Sequence, residues 1–327
     1  MMKRSLQVLI FGASLIGSVA TTSLAIAQPY PNKPIRIVVP NAPGGGTDVV
    51  ARMISESLQA DLGQSILIEN KPGAGGAVAA ADVAKSPADG YTLLMAAAGF
   101  VIAPAVLPKA GYDPVKDFVG VRQLAIVPLI IVTRSDSKLE NINDLLELAR
   151  KDGDKVTFAS FGNATPAHLA GEAINRLGKV KMTHIPYTGG MKALPDILAG
   201  NVTIGILDAV STLPLVQQGK LKALAVTGPK RLPVLPNMPT LVESGIAFDA
   251  VGWHAVFVPA GTPTPIVNRL NTAFTKAMDQ PKVIERIING GSIPIEKGGT
   301  PSQWTAQYEK ETKQWAEIAK AVNAKLE

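Results

Sequence analysis

The chain has 327 residues and a formal charge of +6, with no cysteine and three histidines. Zero cysteines exclude a disulfide framework and thiol chemistry, and scattered basic residues among few aromatics give a nucleic-acid surface no support. The patterns G-x-S-x-G and H-E-x-x-H and any acidic cluster of metal-ligand spacing are also missing, so neither metal nor cofactor is expected.

Residues 1–27 read as a targeting segment. Lys3 and Arg4 form its positive end, 6–20 its apolar core, and Ala25-Ile26-Ala27 a cleavage signal. Removing it takes away two cations and no acid, which leaves 6 − 2 = +4 on 327 − 27 = 300 residues. That length suffices for two domains with cores of their own. No cysteine follows for lipid attachment, and no later apolar run approaches the roughly 18 residues that span a bilayer. A secreted chain without cysteines suits the bacterial periplasm.

Ile35-Arg36-Ile37-Val38-Val39 is short and β-branched, a buried strand by pattern. Val50, Ile54 and Leu58 then recur at four-residue spacing, and Gly63 closes that helix. Between them stands Pro40-Asn41-Ala42-Pro43-Gly44-Gly45-Gly46-Thr47-Asp48. Thr47 or Asp48 is the expected N-cap. Glycines ahead of it leave N–H groups open at a positive helix end, where an anion can sit. A purely structural sharp turn accounts for the same glycines. There is no G-x-G-x-x-G spacing and no Lys-Ser or Lys-Thr after the glycines, so a dinucleotide or triphosphate fits badly.

The order strand, glycine turn, helix repeats at 65–69, 70–76 and 77–85. A third strand, 90–95, ends in Ala96, Ala97, Ala98 and Gly99. Such alternation argues an α/β fold whose ligand lies outside the carboxyl ends of parallel strands. Residues 112–120 read as a connection, and Pro128 interrupts the apolar stretch 121–133 where the chain leaves one sheet for another. A helix at 143–150 and a strand at 155–159 lead to Ser160-Phe161-Gly162-Asn163-Ala164-Thr165-Pro166, with Thr165 as cap and Pro166 at the first helical position. Strands at 182–185, 202–207 and 221–227 follow, with a turn at 187–190 and a helix at 191–199. The apolar run 252–258 is the route back to the first sheet, and only helices are expected beyond it, at 263–278, 281–288 and 300–322. In the last, Trp304, Tyr308, Trp315, Ile318 and Val322 form a packing stripe. The expected domains are 28–127 with 253–327, and 128–252. His184 and His254 fall inside apolar strands and read as satisfied core imidazoles, while His168 lies on a first helical turn beside the Ser160 loop.

Several stretches, in their order, resemble the Bug-type solute receptors of tripartite tricarboxylate transporters. They are Tyr30 to Arg36, Pro40 to Asp48 with Ala51-Arg52, Glu69 to Gly76, Asp89 to Leu94, Ser160-Phe161-Gly162-Asn163 with His168-Leu169, His184 to Tyr187, Ala223 to Thr227 and Pro239-Thr240. The resemblance covers essentially the whole mature chain. It implies a two-domain periplasmic-binding-protein fold, type II-like, with each sheet flanked by helices and the ligand cleft between the domains. It further implies a monomer without catalytic activity that takes a small carboxylate through main-chain amides and water and hands it to membrane transporter subunits. The contacts it implies are Pro43, Gly44, Gly45, Gly46, Thr47, Asp48, Gly75 and Ala97 in the first domain, and Ser160, Phe161, Gly162, Asn163, Ala164, Thr165, Tyr187 and Asp208 in the second. Ala164 stands where the family often has glycine, which narrows the backbone's freedom there. Two rivals stay open: an enzyme on the same scaffold, suggested by His168, Tyr187 and Asp208 near loop ends, and a sensor subunit using the same pocket.

Overall fold

A computed structural model of the protein describes residues 30–295 and 299–324. The expected leader, 1–27, lies outside them. β1 (Ile35–Val39) runs through the glycine turn into α1 (Gly46–Leu62), which ends where Gly63 takes a left-handed φ of 67°. β2 (Ile66–Asn70), a 3-10 turn (Ala74–Gly76) and α2 (Ala77–Ala84) repeat the unit, and β3 (Thr92–Ala97) enters α3 (Gly99–Val106). Then come β4 (Phe118–Val127), β5 (Leu129–Arg134), α4 (Ile142–Asp152), β6 (Thr157–Ser160) and α5 (Pro166–Gly178). β7 (Thr183–Pro186), α6 (Gly190–Ala199), β8 (Ile204–Asp208), α7 (Ala209–Gln217) and β9 (Leu221–Val226) follow. The chain continues with β10 (Gly252–Pro259), α8 (Thr264–Met278), α9 (Pro281–Asn289), β11 (Ile293–Pro294) and α10 (Pro301–Ala321).

The strands form two sheets, ordered β11-β4-β10-β3-β1-β2 and β7-β6-β8-β5-β9. In the first, β1 pairs in parallel with β2 on one side and β3 on the other, so the strand order reverses at β1. In the second, β6 pairs in parallel with β7 and β8, and the order reverses there. Ligands of open α/β sheets lie at such switch points, outside the carboxyl ends of the strands. The glycine turn follows β1 and the Ser160 loop follows β6. Topology therefore puts the two loops singled out in the sequence at the two places where this architecture makes crevices.

Pro128 stands between β4 of the first sheet and β5 of the second. A tertiary amide has no N–H to give a ladder, so the strand must break there. The stripe on α10 packs as its spacing predicts. Trp304, Tyr308 and Trp315 are buried, and Trp304 and Tyr308 meet Phe257 with ring centroids 5.9 and 5.0 Å apart.

Some expectations need correction. Strand β4 begins at Phe118, inside the stretch read as a connection. A two-residue strand, β11, pairs with β4 where only helices were expected. Helices α3 and α7 had no counterpart in the sequence reading. In α3, Phe100, Val101, Ile102 and Ala103 are all buried. A helix apolar all round has no polar face, and so no period to recognise.

Candidate functional site

The glycine turn is held from behind. The N-cap of α1 is Gly45, in extended conformation with no side-chain cap, rather than Thr47 or Asp48. Asp48 sits at the third helical position and reaches back. Its carboxylate accepts from the Gly44 N–H at 2.9 Å, from Asn70 Nδ2 at 2.9 Å and from Arg52 Nε at 3.0 Å. Burial pushes the Asp48 carboxyl up, but these donors outweigh it and hold the group below its ordinary value. Asn70 Nδ2 also donates to the Asn41 carbonyl at 2.8 Å, tying the turn to the end of β2. The first helical bond runs from the Val49 N–H to the Gly45 carbonyl, so the amides of Gly46, Thr47 and Asp48 have no acceptor within the helix.

The opposite loop is built on buried side chains. Ser160 Oγ lies 2.7 Å from His184 Nε2 and accepts the Gly162 N–H at 3.1 Å. His184 is stacked between His168 and Phe158, at 4.4 and 4.8 Å. Burial pushes His168 down to about 4; burial and then the neighbouring His168 push His184 down to about 3, so both are neutral near pH 7. Thr165 caps α5, accepting from the His168 N–H and donating to the Gly162 carbonyl at 2.6 Å. Ser160 is fully buried, so it sets the loop's shape from behind.

The Ser160 loop touches the turn that follows β2. A Cβ added to Gly75 would stand 2.8 Å from the carbonyl oxygens of both Asn163 and Ala164. Only a residue without a side chain permits this approach. Ala164 itself holds φ 55°, a left-handed conformation that costs an L-residue about 1–2 kcal/mol. The departure from glycine therefore leaves strain at the contact rather than a reshaped wall, because Ala164 is completely buried and faces Gly75.

Beside this contact lies a cleft of two adjoining compartments. The smaller, about 80 Å³, is lined by Pro43, Gly45, Gly46 and Thr47 on one side and by Phe161, Gly190, Asp208 and His254 on others. The larger, about 310 Å³, is lined by Gly75, Gly162, Asn163, Thr165 and Tyr187. Asn41, Ala97, Phe161, Pro166 and Thr188 border both. The N-termini of α1, α5 and α6 end at these walls, and such ends favour anions. Lys192 is the one cationic side chain on either lining, among the described residues.

The family model for the receptors of the tripartite tricarboxylate transporter family matches residues 50–324. The chain belongs to that family. Among solved structures, that of the periplasmic binding protein BugD is similar, with 36% identity and a TM-score of 0.85 over 90% of this chain and 99% of that one. R. palustris Rpa4515 with adipate shares 31% identity at a TM-score of 0.83 over 90% and 98%. MatC from Rhodopseudomonas palustris with bound malate shares 33% at 0.83 over 88% and 99%. With two sheets flanked by helices, the receptor has the α/β architecture of these periplasmic binding proteins. Among its described residues, no helix is long and apolar enough to cross a membrane.

Of the residues expected at the receptor's site, Gly44, Asp48, Ser160 and Ala164 do not line the cleft. The other twelve do. Sequence reading missed the segment 188–192 as a wall, although Gly189 and Gly190 open α6 much as Gly45 and Gly46 open α1. It also missed His254. That side chain is buried, but it is not the satisfied core imidazole expected, since its Nδ1 has no hydrogen-bond partner and its ring lines the small compartment. Burial pushes its pKa down to about 4, so the ring is neutral near pH 7. Nothing local marks it: a histidine in an apolar strand looks alike whichever space it faces. Asp208 caps α7, its Oδ1 accepting from the Ser211 amide at 2.9 Å and the Ser211 hydroxyl at 3.1 Å. Tyr187 donates its hydroxyl to Asp196 at 2.6 Å.

Proposed function

We propose that this chain is a periplasmic receptor that captures a small carboxylate between two domains and delivers it to a tripartite tricarboxylate-type membrane transporter. The observation that carries the reading is a cleft lined by both switch-point loops, one from each sheet, and walled by helix N-termini and glycine turns. Membership of the receptor family supports it, as do the adipate and malate of the two similar structures. Main-chain amides suffice for the affinity. A hydrogen bond to a charged group contributes about 1.5–3 kcal/mol, and micromolar binding needs only about 8 kcal/mol. Donors on both loops make the ligand favour the closed form, which a membrane partner can read.

On this reading residues 1–27 are a leader cleaved after Ala27, the domains are 28–127 with 253–327 and 128–252, and the receptor acts as a monomer by binding, without turnover. Mass spectrometry of small molecules released from the purified protein should find an organic acid. Adding that acid back to emptied protein should raise the melting temperature and compact the molecule in solution scattering. If a broad panel of organic acids produced neither effect, the reading would fail.

A further inference from the structure

Two helices open on the small compartment without a capping side chain. Gly45 stands before α1 and Gly189 before α6, and neither offers an acceptor to the first turn. Gly46, Thr47, Gly190 and Met191 begin those helices and line the space, and amides at such positions have no acceptor within their own helix. Thr47 is buried among them, and its Oγ1 has no partner. Lys192 lines the same compartment from the first turn of α6, where no acidic residue balances it and the helix dipole disfavours a cation. A local rule broken in this way marks a functional position. The space, about 80 Å³, admits only a few heavy atoms, since one water needs roughly 10–15 Å³ of such volume.

The larger compartment differs in its chemistry. Among the described residues, its lining carries no charged side chain. The donors of the Ser160 loop are already engaged: the Gly162 N–H donates to Ser160 Oγ, the Thr165 hydroxyl to the Gly162 carbonyl and the His168 N–H to Thr165 Oγ1. Pro166, the first residue of α5, has no N–H to give. On the facing wall the Gly76 N–H donates to the Gly73 carbonyl, and the Tyr187 hydroxyl donates to the Asp196 carboxylate.

From these positions we infer that the ligand is a monocarboxylate with an uncharged body: its carboxylate lies in the small compartment on the open ends of α1 and α6, where Lys192 is the specificity-determining cation, and its body fills the larger compartment. This rests on the carboxylate-receptor reading and narrows it. A second carboxylate, carried into the larger compartment, would give up its water where no cationic side chain replaces it. Asp208 does not bar an anion from the small compartment. Both hydrogen bonds that its carboxyl group accepts fall on Oδ1, which leaves Oδ2 to carry a proton. Burial pushes this carboxyl up against the lowering effect of the Ser211 donors, and an anion beside it raises it further. As the neutral acid it donates from Oδ2 into the same space.

The test is calorimetric titration of the mature protein at pH 7.5 with straight-chain, hydroxylated and aromatic monoacids of four to eight carbons, each beside the diacid of equal length. A monoacid that binds should do so at least tenfold tighter than its matched diacid. Lys192→Met should weaken that monoacid at least fivefold and flatten the loss of affinity with added salt, whereas Lys192→Arg should keep both. Lys192 is exposed, so the melting temperature of either variant should stay within a few degrees of the wild type. Diacids that bind as tightly as their matched monoacids, or an affinity untouched in Lys192→Met, overturn the inference and leave the receptor reading standing. Failure of every acid to bind overturns both.

Discussion

Replacing Gly75 by alanine tests whether the turn after β2 and the Ser160 loop meet as a closing contact or as packing within one rigid body. Gly75 has φ 65°, a conformation that costs an L-residue about 1–2 kcal/mol. The new Cβ would stand 2.8 Å from two backbone oxygens, those of Asn163 and Ala164. Overpacking of this kind costs about 1–3 kcal/mol. The two effects act on different equilibria. The backbone strain is present in every folded form and is partly offset by about 0.4–1 kcal/mol from the stiffer unfolded chain, so melting should fall by only a few degrees. The clash exists only while the 163–164 loop lies on Gly75, so it weakens the closed form alone. A loss of 1–3 kcal/mol there lowers ligand affinity roughly 5- to 150-fold. Melting curves and calorimetric titration with the acid recovered from the purified protein measure both numbers on one sample. An affinity within twofold of the wild type would refute the closing contact. So would a fall in melting above about 10 °C, because the clash would then burden the fold itself.

Other outcomes follow from the same geometry. Gly171→Ala presses a Cβ into the Phe158 ring, 2.6 Å from Cδ2, within α5 and β6; urea denaturation should show a loss of about 1–3 kcal/mol, despite the roughly 1 kcal/mol that alanine gains over glycine in a helix. Asp48→Ala takes one acceptor from the Gly44 amide, Asn70 and Arg52; stability should fall by about 2–4 kcal/mol, with weaker ligand binding and a smaller loss in Asp48→Asn. Acid should destabilise the fold early. Burial lowers His168, His184 and His254 to about 4, 3 and 4, so their stabilisation is fully present above the unfolded value near 6.5 and is lost as pH falls towards the folded ones. Each imidazole contributes about 1.4 kcal/mol per pH unit in that window. Half-buried Glu172 and Glu311, whose pKa values desolvation raises, act in the opposite sense. The decisive measurement is therefore a difference: His254→Gln should lower the pH slope of stability between pH 6 and 5 by about one proton, and an unchanged slope would refute the assignment.

The parts of the site legible in the sequence are those whose chemistry is local. Three glycines before a periodic helix announce an open N-terminus whatever surrounds them, and Thr165 with Pro166 announces the start of α5. Direction along the turn was less legible. Asp48 has the composition of a cap, yet the neighbouring β2 offers it Asn70, and a carboxylate with three donors in reach turns towards them. His254 and the 188–192 segment entered the cleft unannounced, because their role depends on which strand lies beside β10 and how close α6 comes to α1.

By itself, the amino-acid sequence determined the alternation of strands and helices, the chain break at Pro128, the capped start of α5 and the two glycine-rich loops. These depend on φ preferences, missing N–H groups and apolar spacing, all of which act within a few residues. Only the tertiary structure decided that Gly75 must remain without a side chain, that Ala164 bears a strained φ, and that Asp208 and His254 share one small space above Gly46. Those facts arise from atoms tens to hundreds of residues apart in sequence and a few ångströms apart in space, brought together by the two reversals of strand order.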